Sequence, residues 1–189
     1  MKLPNWCENE LYVSGRKEDL QRFKEKAKGK NGDLDFNSFV PYPEEWQKLD
    51  EAYWSAWEKL RELNDKLERA ESEEEKQRIR REMEEVRKNM PEKDAYNQGG
   101  YEWCCERWGT KWNACRVALI EGKRSLVYTF DTAWSPPIPV VHKMSEMFPN
   151  LLFTLKYWEG GVGFKGIFKV KGGEVLRDET TSYYGYRGG

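Results

Sequence analysis

The stretch Trp108-Gly-Thr-Lys-Trp-Asn-Ala-Cys-Arg-Val-Ala-Leu-Ile-Glu-Gly-Lys-Arg-Ser-Leu-Val-Tyr-Thr-Phe-Asp-Thr-Ala-Trp-Ser-Pro-Pro137 decides how the chain is read. Two strand-like runs flank Glu121-Gly-Lys-Arg124, a turn signal, so the segment predicts a β-hairpin. A turn there pairs positions whose numbers sum to about 245 in an antiparallel ladder. Trp112 then faces Ala133, Asn113 faces Thr132 and Lys111 faces Trp134. One end of the ladder gathers Trp108, Lys111, Trp112, Asn113, Asp131, Thr132 and Trp134, a candidate ligand-binding site.

That cluster has two readings. In one, Asp131 or Thr132 bonds the backbone ahead of Ser135-Pro136-Pro137, Lys111 pairs with Asp131, and the tryptophans seal the sheet end. In the other, the indoles stack on a base or sugar, Lys111 meets a phosphate, and Asp131 with Thr132 reads polar edges.

Outward from the hairpin, residues 5 to 14 alternate as a strand, with Cys7, Asn9, Leu11 and Val13 on one face and Trp6, Glu8, Glu10 and Tyr12 on the other. Leu20, Phe23 and Ala27 recur at helical spacing over Lys17 to Lys28, and Gly29 with Gly32 stops that helix. Leu34 to Pro43 is a connector. Tyr101 to Trp108 predicts a short helix behind a polar hinge at Pro91 to Gly100. Ser135 is placed to cap a helix running to Phe148, with Val141, Met144 and Phe148 inward. Strands follow over Leu151 to Trp158 and Phe164 to Lys171, turned by Glu159-Gly160-Gly161 and closed by Gly172-Gly173. Residues 180–189 read as a flexible Tyr- and Gly-rich tail.

Residues 44–90 follow another rule. Trp46, Leu49, Tyr53, Trp57, Leu60, Leu63, Leu67 and Ala70 repeat at threes and fours, as do Ile79, Met83, Val86 and Met90. Ser72 followed by Glu75 has the form of a capping box. Two antiparallel helices of about 27 and 18 residues are expected at this spacing, a coiled-coil hairpin inserted between residues 1–43 and 91–179. This segment holds fifteen of the 33 acidic and eleven of the 32 basic side chains, so the remainder is net +3 in a chain of net charge −1. Such a balance gives no global signal for nucleic acid or membrane.

Without the insertion the order is β, α, β, β, α, β plus one further strand, the α+β ferredoxin-like split βαβ plan. A right-handed crossover is expected to set the first strand parallel to the Leu126 to Asp131 strand. A secondary cluster of Asn5, Trp6, Asn9, Trp158 and Glu159 then lies at the sheet end opposite the first. On the open face Trp6, Tyr12, Arg116, Thr129, Lys156, Trp158, Lys165, Lys169 and Lys171 alternate, backed by Leu11, Val117, Tyr128, Leu155 and Phe168.

No apolar run reaches the roughly 20 residues that cross a bilayer, and the first residues show no signal-peptide core, so a cytoplasmic location without membrane contact is expected. The four cysteines Cys7, Cys104, Cys105 and Cys115 are then reduced, and their spacing holds no zinc motif. No metal or cofactor is expected. His142 is the only histidine and reads as a surface or packing residue; no nucleophile or phosphate-loop motif occurs. Asp131 and Glu159, at opposite ends in this topology, make no acid–base pair. The sequence therefore reads as that of a binding protein and not of an enzyme.

Pro4-Asn-Trp-Cys-Glu-Asn9 with Leu11, Val13 and Gly15, then Trp108-Gly-Thr-Lys-Trp112, Phe130-Asp-Thr-Ala-Trp-Ser-Pro-Pro137, Phe148-Pro149 and Tyr157-Trp-Glu-Gly160, resemble the YubB-type family of phage and plasmid proteins. The resemblance covers residues 4–15 and 100–170. It implies a ferredoxin-like domain carried by mobile elements and brings no catalytic residues. The charged insertion matches none of its motifs.

Three functions compete. The first is capture of a nucleotide-like small molecule, with a host defence signal as the candidate ligand, between tryptophans. The second is single-stranded nucleic-acid binding by the open sheet face. The third is inhibition of a host defence protein by the helical hairpin, whose acidic balance suits a basic surface and which also offers a route to oligomers.

Overall fold

Every second residue from Cys7 to Val13 is buried, so the first strand, β1 (Trp6–Ser14), turns Cys7, Asn9, Leu11 and Val13 into the core and Trp6, Glu8, Glu10 and Tyr12 outward. A computed structural model describes residues 5–30 and 32–185. After β1 come α1 (Lys17–Ala27), the helical pair α2 (Glu44–Arg69) and α3 (Glu73–Asn89), α4 (Gly100–Arg107), β2 (Cys115–Glu121), β3 (Ser125–Ala133), α5 (Ile138–Met147), β4 (Leu152–Glu159), β5 (Phe164–Lys171) and β6 (Glu174–Ser182). Of the described residues, those up to Pro41 and from Tyr101 onward form one compact unit, and Tyr42–Gly100 forms another.

In the first unit six antiparallel strands run in the order β2-β3-β1-β4-β5-β6. The first four carry the ferredoxin-like plan, as expected. The relation of β1 to β3 corrects the expectation. The crossover joins β1 to β2, which lie parallel with a gap between them, and the hairpin returns β3 into that gap antiparallel to both. Trp6 therefore lies opposite Ala133 and Cys7 opposite both Thr132 and Glu159. The two clusters expected at opposite sheet ends share one end.

The hairpin register also departs from a sum of 245. Cys115 faces Asp131, a bulge follows, and Ala118 faces Thr129. Residues 108–114 stay outside the ladder, so Lys111, Trp112 and Asn113 reach the sheet end from a loop. β6 corrects the tail. Gly172 (φ +57°) and Gly173 (φ +81°) form a two-residue turn of the kind that matches strand twist, and residues 180 to 182 pair in β6 instead of fraying. Residues 186–189 of that tail lie outside the described residues.

The core under the sheet centres on Phe23 of α1, whose ring stands 5.5 Å from Phe39, 5.2 Å from Phe148 and 5.3 Å from Phe153. Helix α5 starts later than expected. Pro137 precedes it, and the Ser135 hydroxyl donates to Gly109 O at 2.6 Å instead of capping. His142 packs as expected, its Nε2 2.9 Å from Gly173 O.

The second unit is the expected helical hairpin. Leu60, Leu63, Ile79 and Met83 form its core. The Ser72 hydroxyl accepts from Glu75 N at 3.2 Å, which satisfies one of the donors orphaned at the start of α3. No helix among the described residues is long and apolar enough to cross a membrane.

Candidate functional site

Three clamps hold the loop between α4 and β2 against the sheet end. Trp108 is buried, with its indole N–H donating to Val40 O at 2.9 Å and its ring 6.1 Å from Phe36. Gly109 follows at φ +83°, where a Cβ would stand 2.5 Å from Pro139 Cδ, so this close approach requires glycine. Thr110 donates to Ala133 O at 3.0 Å, and Asn113 ties the loop to the connector by accepting from Phe36 N at 2.9 Å and donating to Asp35 Oδ1 at 2.7 Å. Between the clamps only Lys111 and Trp112 are left to project.

Their side chains enter a stack of indoles and cations. The Lys111 ammonium stands 3.6 Å from the centroid of Trp134 and 4.2 Å from that of Trp112. Trp112 lies 6.2 Å from Trp6, tilted by 59°. The Arg116 guanidinium covers Trp6 at 4.7 Å and pairs with Asp131. Along the stack the order is Trp134, Lys111, Trp112, Trp6, Arg116 and Asp131. Among the described residues only Arg116 (φ +52°) and Trp134 (φ +70°) are non-glycine residues with left-handed backbone. Each costs on the order of 1 kcal/mol, and both flank the stack, the kind of place where strain is retained for a purpose.

The electrostatics single out Lys111. Desolvation beneath the indoles pulls its pKa down, with the Cys105 thiol acting weakly the other way. Among the described residues it has no carboxylate partner, whereas Arg116 is neutralised by Asp131. Burial, then Asp131, raises the Cys115 thiol, against Arg116 and the Trp112 indole. The Trp112 N–H is buried without an oxygen or nitrogen partner.

Other expected site residues are engaged beneath the stack. Thr132 is fully buried and donates to Ser135 O at 2.7 Å while accepting from Asn9 Nδ2 at 2.9 Å; Asn9 also donates to Cys7 O at 2.8 Å. Asn5 O accepts from Trp134 N at 3.0 Å. Glu159, also buried, caps its own turn by accepting from Gly161 N at 2.9 Å and Val162 N at 2.5 Å. Asp131 and Glu159 come to the same sheet end, contrary to expectation, and project on opposite faces.

Trp158 belongs to the open face, beside Glu8 and opposite Lys165. It lines a cleft of about 550 Å³ whose far wall is Arg177, Glu179, Thr181 and Tyr183, residues of β6 and its exit. Sequence reasoning missed this wall because β6 is exposed throughout and shows no apolar alternation. The Gly172-Gly173 pair was the available signal. No group of three metal-ligating side chains occurs among the described residues.

Fold and site together define an α+β ferredoxin-like domain with an aromatic and cationic rim. Residues 107–184 match the family model described as the ferredoxin-like domain in Api92-like protein. The crystal structure of protein api92 from Yersinia pseudotuberculosis is similar to this chain at a TM-score of 0.55 and 11% identity, over 98% of this chain and 100% of that one. At that identity the likeness is one of fold. Among curated proteins none matches the chain.

Proposed function

We propose that the chain is a non-enzymatic binding protein that captures a nucleotide-like molecule at the rim formed by Trp134, Lys111, Trp112, Trp6 and Arg116. The observation that carries the reading is the Lys111 ammonium, held between two indole faces with no carboxylate partner among the described residues. A cation–π contact stabilises by about 0.5–1 kcal/mol at an exposed site and about 2 kcal/mol when desolvated, comparable with the roughly 1.5–3 kcal/mol of a charge-assisted hydrogen bond. An incoming phosphate supplies the counter-charge that the ammonium lacks, and the neighbouring indole surface accepts a base by stacking. The loop clamps fix this arrangement before the ligand arrives, which limits the ordering cost of binding. The YubB-type resemblance supports a mobile-element accessory role, in which a nucleotide-like host defence signal is the natural ligand.

Calorimetric titration against linear and cyclic nucleotides tests the reading. Binding that weakens at least about tenfold in both Lys111→Met and Trp134→Ala supports it. No heat with any nucleotide, or affinity unchanged in both variants, rejects it.

A second reading rests on the helical unit, where Trp54 is 57% and Trp57 48% exposed beside Leu60, Met83 and Met90. Large apolar side chains on the solvent face of an acidic hairpin suit a basic protein partner. Replacing residues 44–90 with a Gly-Ser linker abolishes activity under this reading and leaves nucleotide binding intact under the first.

A further inference from the structure

Because β1 is antiparallel to β3, the rim and the open-face cleft adjoin one another. Glu8 is the direct neighbour of both Asp131 and Trp158, and Trp6 lies two residues along the same strand on the same face. Trp6 and Trp158 are therefore diagonal neighbours, roughly 7–8 Å apart at the backbone and within reach of each other's ring edges. Beyond Trp158 the row continues to Lys165, whose ammonium lies 6.0 Å from the Tyr183 ring. Tyr183 is held at the cleft by its N–H donating to Gly163 O at 2.7 Å. The aromatic series Trp134, Trp112, Trp6, Trp158 and Tyr183 thus crosses the sheet, with Lys111 and Lys165 between its outer members and the Glu8 carboxylate beside Trp158.

We infer that the cleft is a second subsite of the same surface, and that the ligand is a linear single-stranded oligonucleotide of at least two nucleotides. This rests on the rim reading and names its ligand class. The charge pattern supports an extended polyanion. Arg177 is neutralised by Glu179 at 2.6 Å and Arg116 by Asp131, but Lys111, Lys156 and Lys165 have no ion pair among the described residues, and they stand on both sides of Trp158. Trp6 on β1 and Trp158 on β4 stand one strand apart, a spacing that suits successive bases, and Lys111, Lys156 and Lys165 suit the linking phosphates. A compact cyclic nucleotide would occupy one subsite and leave the other empty. A duplex would keep its bases from the indoles.

Tryptophan fluorescence and calorimetry with a length series of thymidylate oligomers of one, two, four and six nucleotides, alongside a cyclic dinucleotide and a duplex, decide the matter. The expected result is affinity rising at least about tenfold from one nucleotide to four, and falling with added salt more steeply for the longer oligomers. Trp158→Ala and Lys165→Glu should each remove the length dependence, whereas Lys111→Met should weaken binding at every length, the mononucleotide included. Mononucleotide binding with no length dependence overturns the inference and leaves the rim reading standing, as does tighter binding of the cyclic dinucleotide than of the linear one. Absence of binding by every ligand overturns both. Binding of duplex as tight as single strand overturns the inference, since stacking then contributes nothing.

Discussion

The Lys111 ammonium lies 3.6 Å from the centroid of the Trp134 indole, and Trp134 itself holds a backbone φ of +70° to present that ring. A cation is thereby desolvated by aromatic faces instead of being neutralised by a carboxylate. This contact ties backbone strain at the end of β3 to charge in the loop before β2, and its consequences can be measured.

Backbone strain at Trp134 should appear in the difference between two truncations. Both Trp134→Gly and Trp134→Ala remove the half-exposed indole and its contact with Lys111, but only glycine adopts a positive φ without cost. Trp134→Gly should be the more stable by about 1 kcal/mol in urea titration, and both should lose nucleotide binding. Equal stabilities would remove the strain argument.

The buried network under the rim should behave as one unit. Asn9→Ala leaves Cys7 O and Thr132 without their donor, and should lower stability by roughly 2–3 kcal/mol, a fall of about 2–4 °C in Tm for each kcal/mol in a chain of this size. Thr132→Val should cost a similar amount. The double variant should fall short of the sum by more than about 0.5 kcal/mol in thermal melts, because the two side chains share one bond.

Alkaline pH should reveal Cys7. Burial pushes its thiol up from 9.0 to about 12, with Thr132 opposing, so the folded state keeps a proton that the unfolded chain gives up. Below pH 9 both states hold the proton and Cys7 adds no pH dependence. Between about pH 9 and 12 stability falls, by no more than about 1.4 kcal/mol per pH unit from this group. The burial that raises Tyr128 adds to the fall above pH 10. Cys7→Ala should flatten the curve between pH 9 and 10 in denaturant titrations. A thiol reagent at neutral pH should label Cys105 and spare the buried Cys7 and Cys104.

The helical hairpin should lose helix when its core is cut. Leu63 is 1% exposed and packs with Leu60, Ile79 and Met83, so Leu63→Ala should destabilise this unit by about 3 kcal/mol. Ser72→Ala should cost about 1 kcal/mol through the lost cap of α3. Far-ultraviolet circular dichroism during thermal melting reads both, and an unchanged helical melt in Leu63→Ala would contradict the packing.

The sequence by itself determined the elements whose signals are local. Alternation from Cys7 to Val13, the helical spacing of Leu20, Phe23 and Ala27, and the Ser72-to-Glu75 cap each act within one or two turns of chain, and each stands where the pattern puts it. Periodicity also separated the residues of the open face from those of the core. Only the tertiary structure decided which sheet end each aromatic reaches, because strand order and direction depend on long-range pairing that no short pattern records. Trp6 opposite Ala133 merges two clusters into one and lifts Lys111 between two indoles, while Trp108, Asn113 and Thr132, alike in the sequence as site candidates, are drawn into buried contacts. β6 escaped notice for a related reason: a strand exposed along its whole length buries nothing, so no apolar period marks it, and its pairing with β5 alone places the cleft wall.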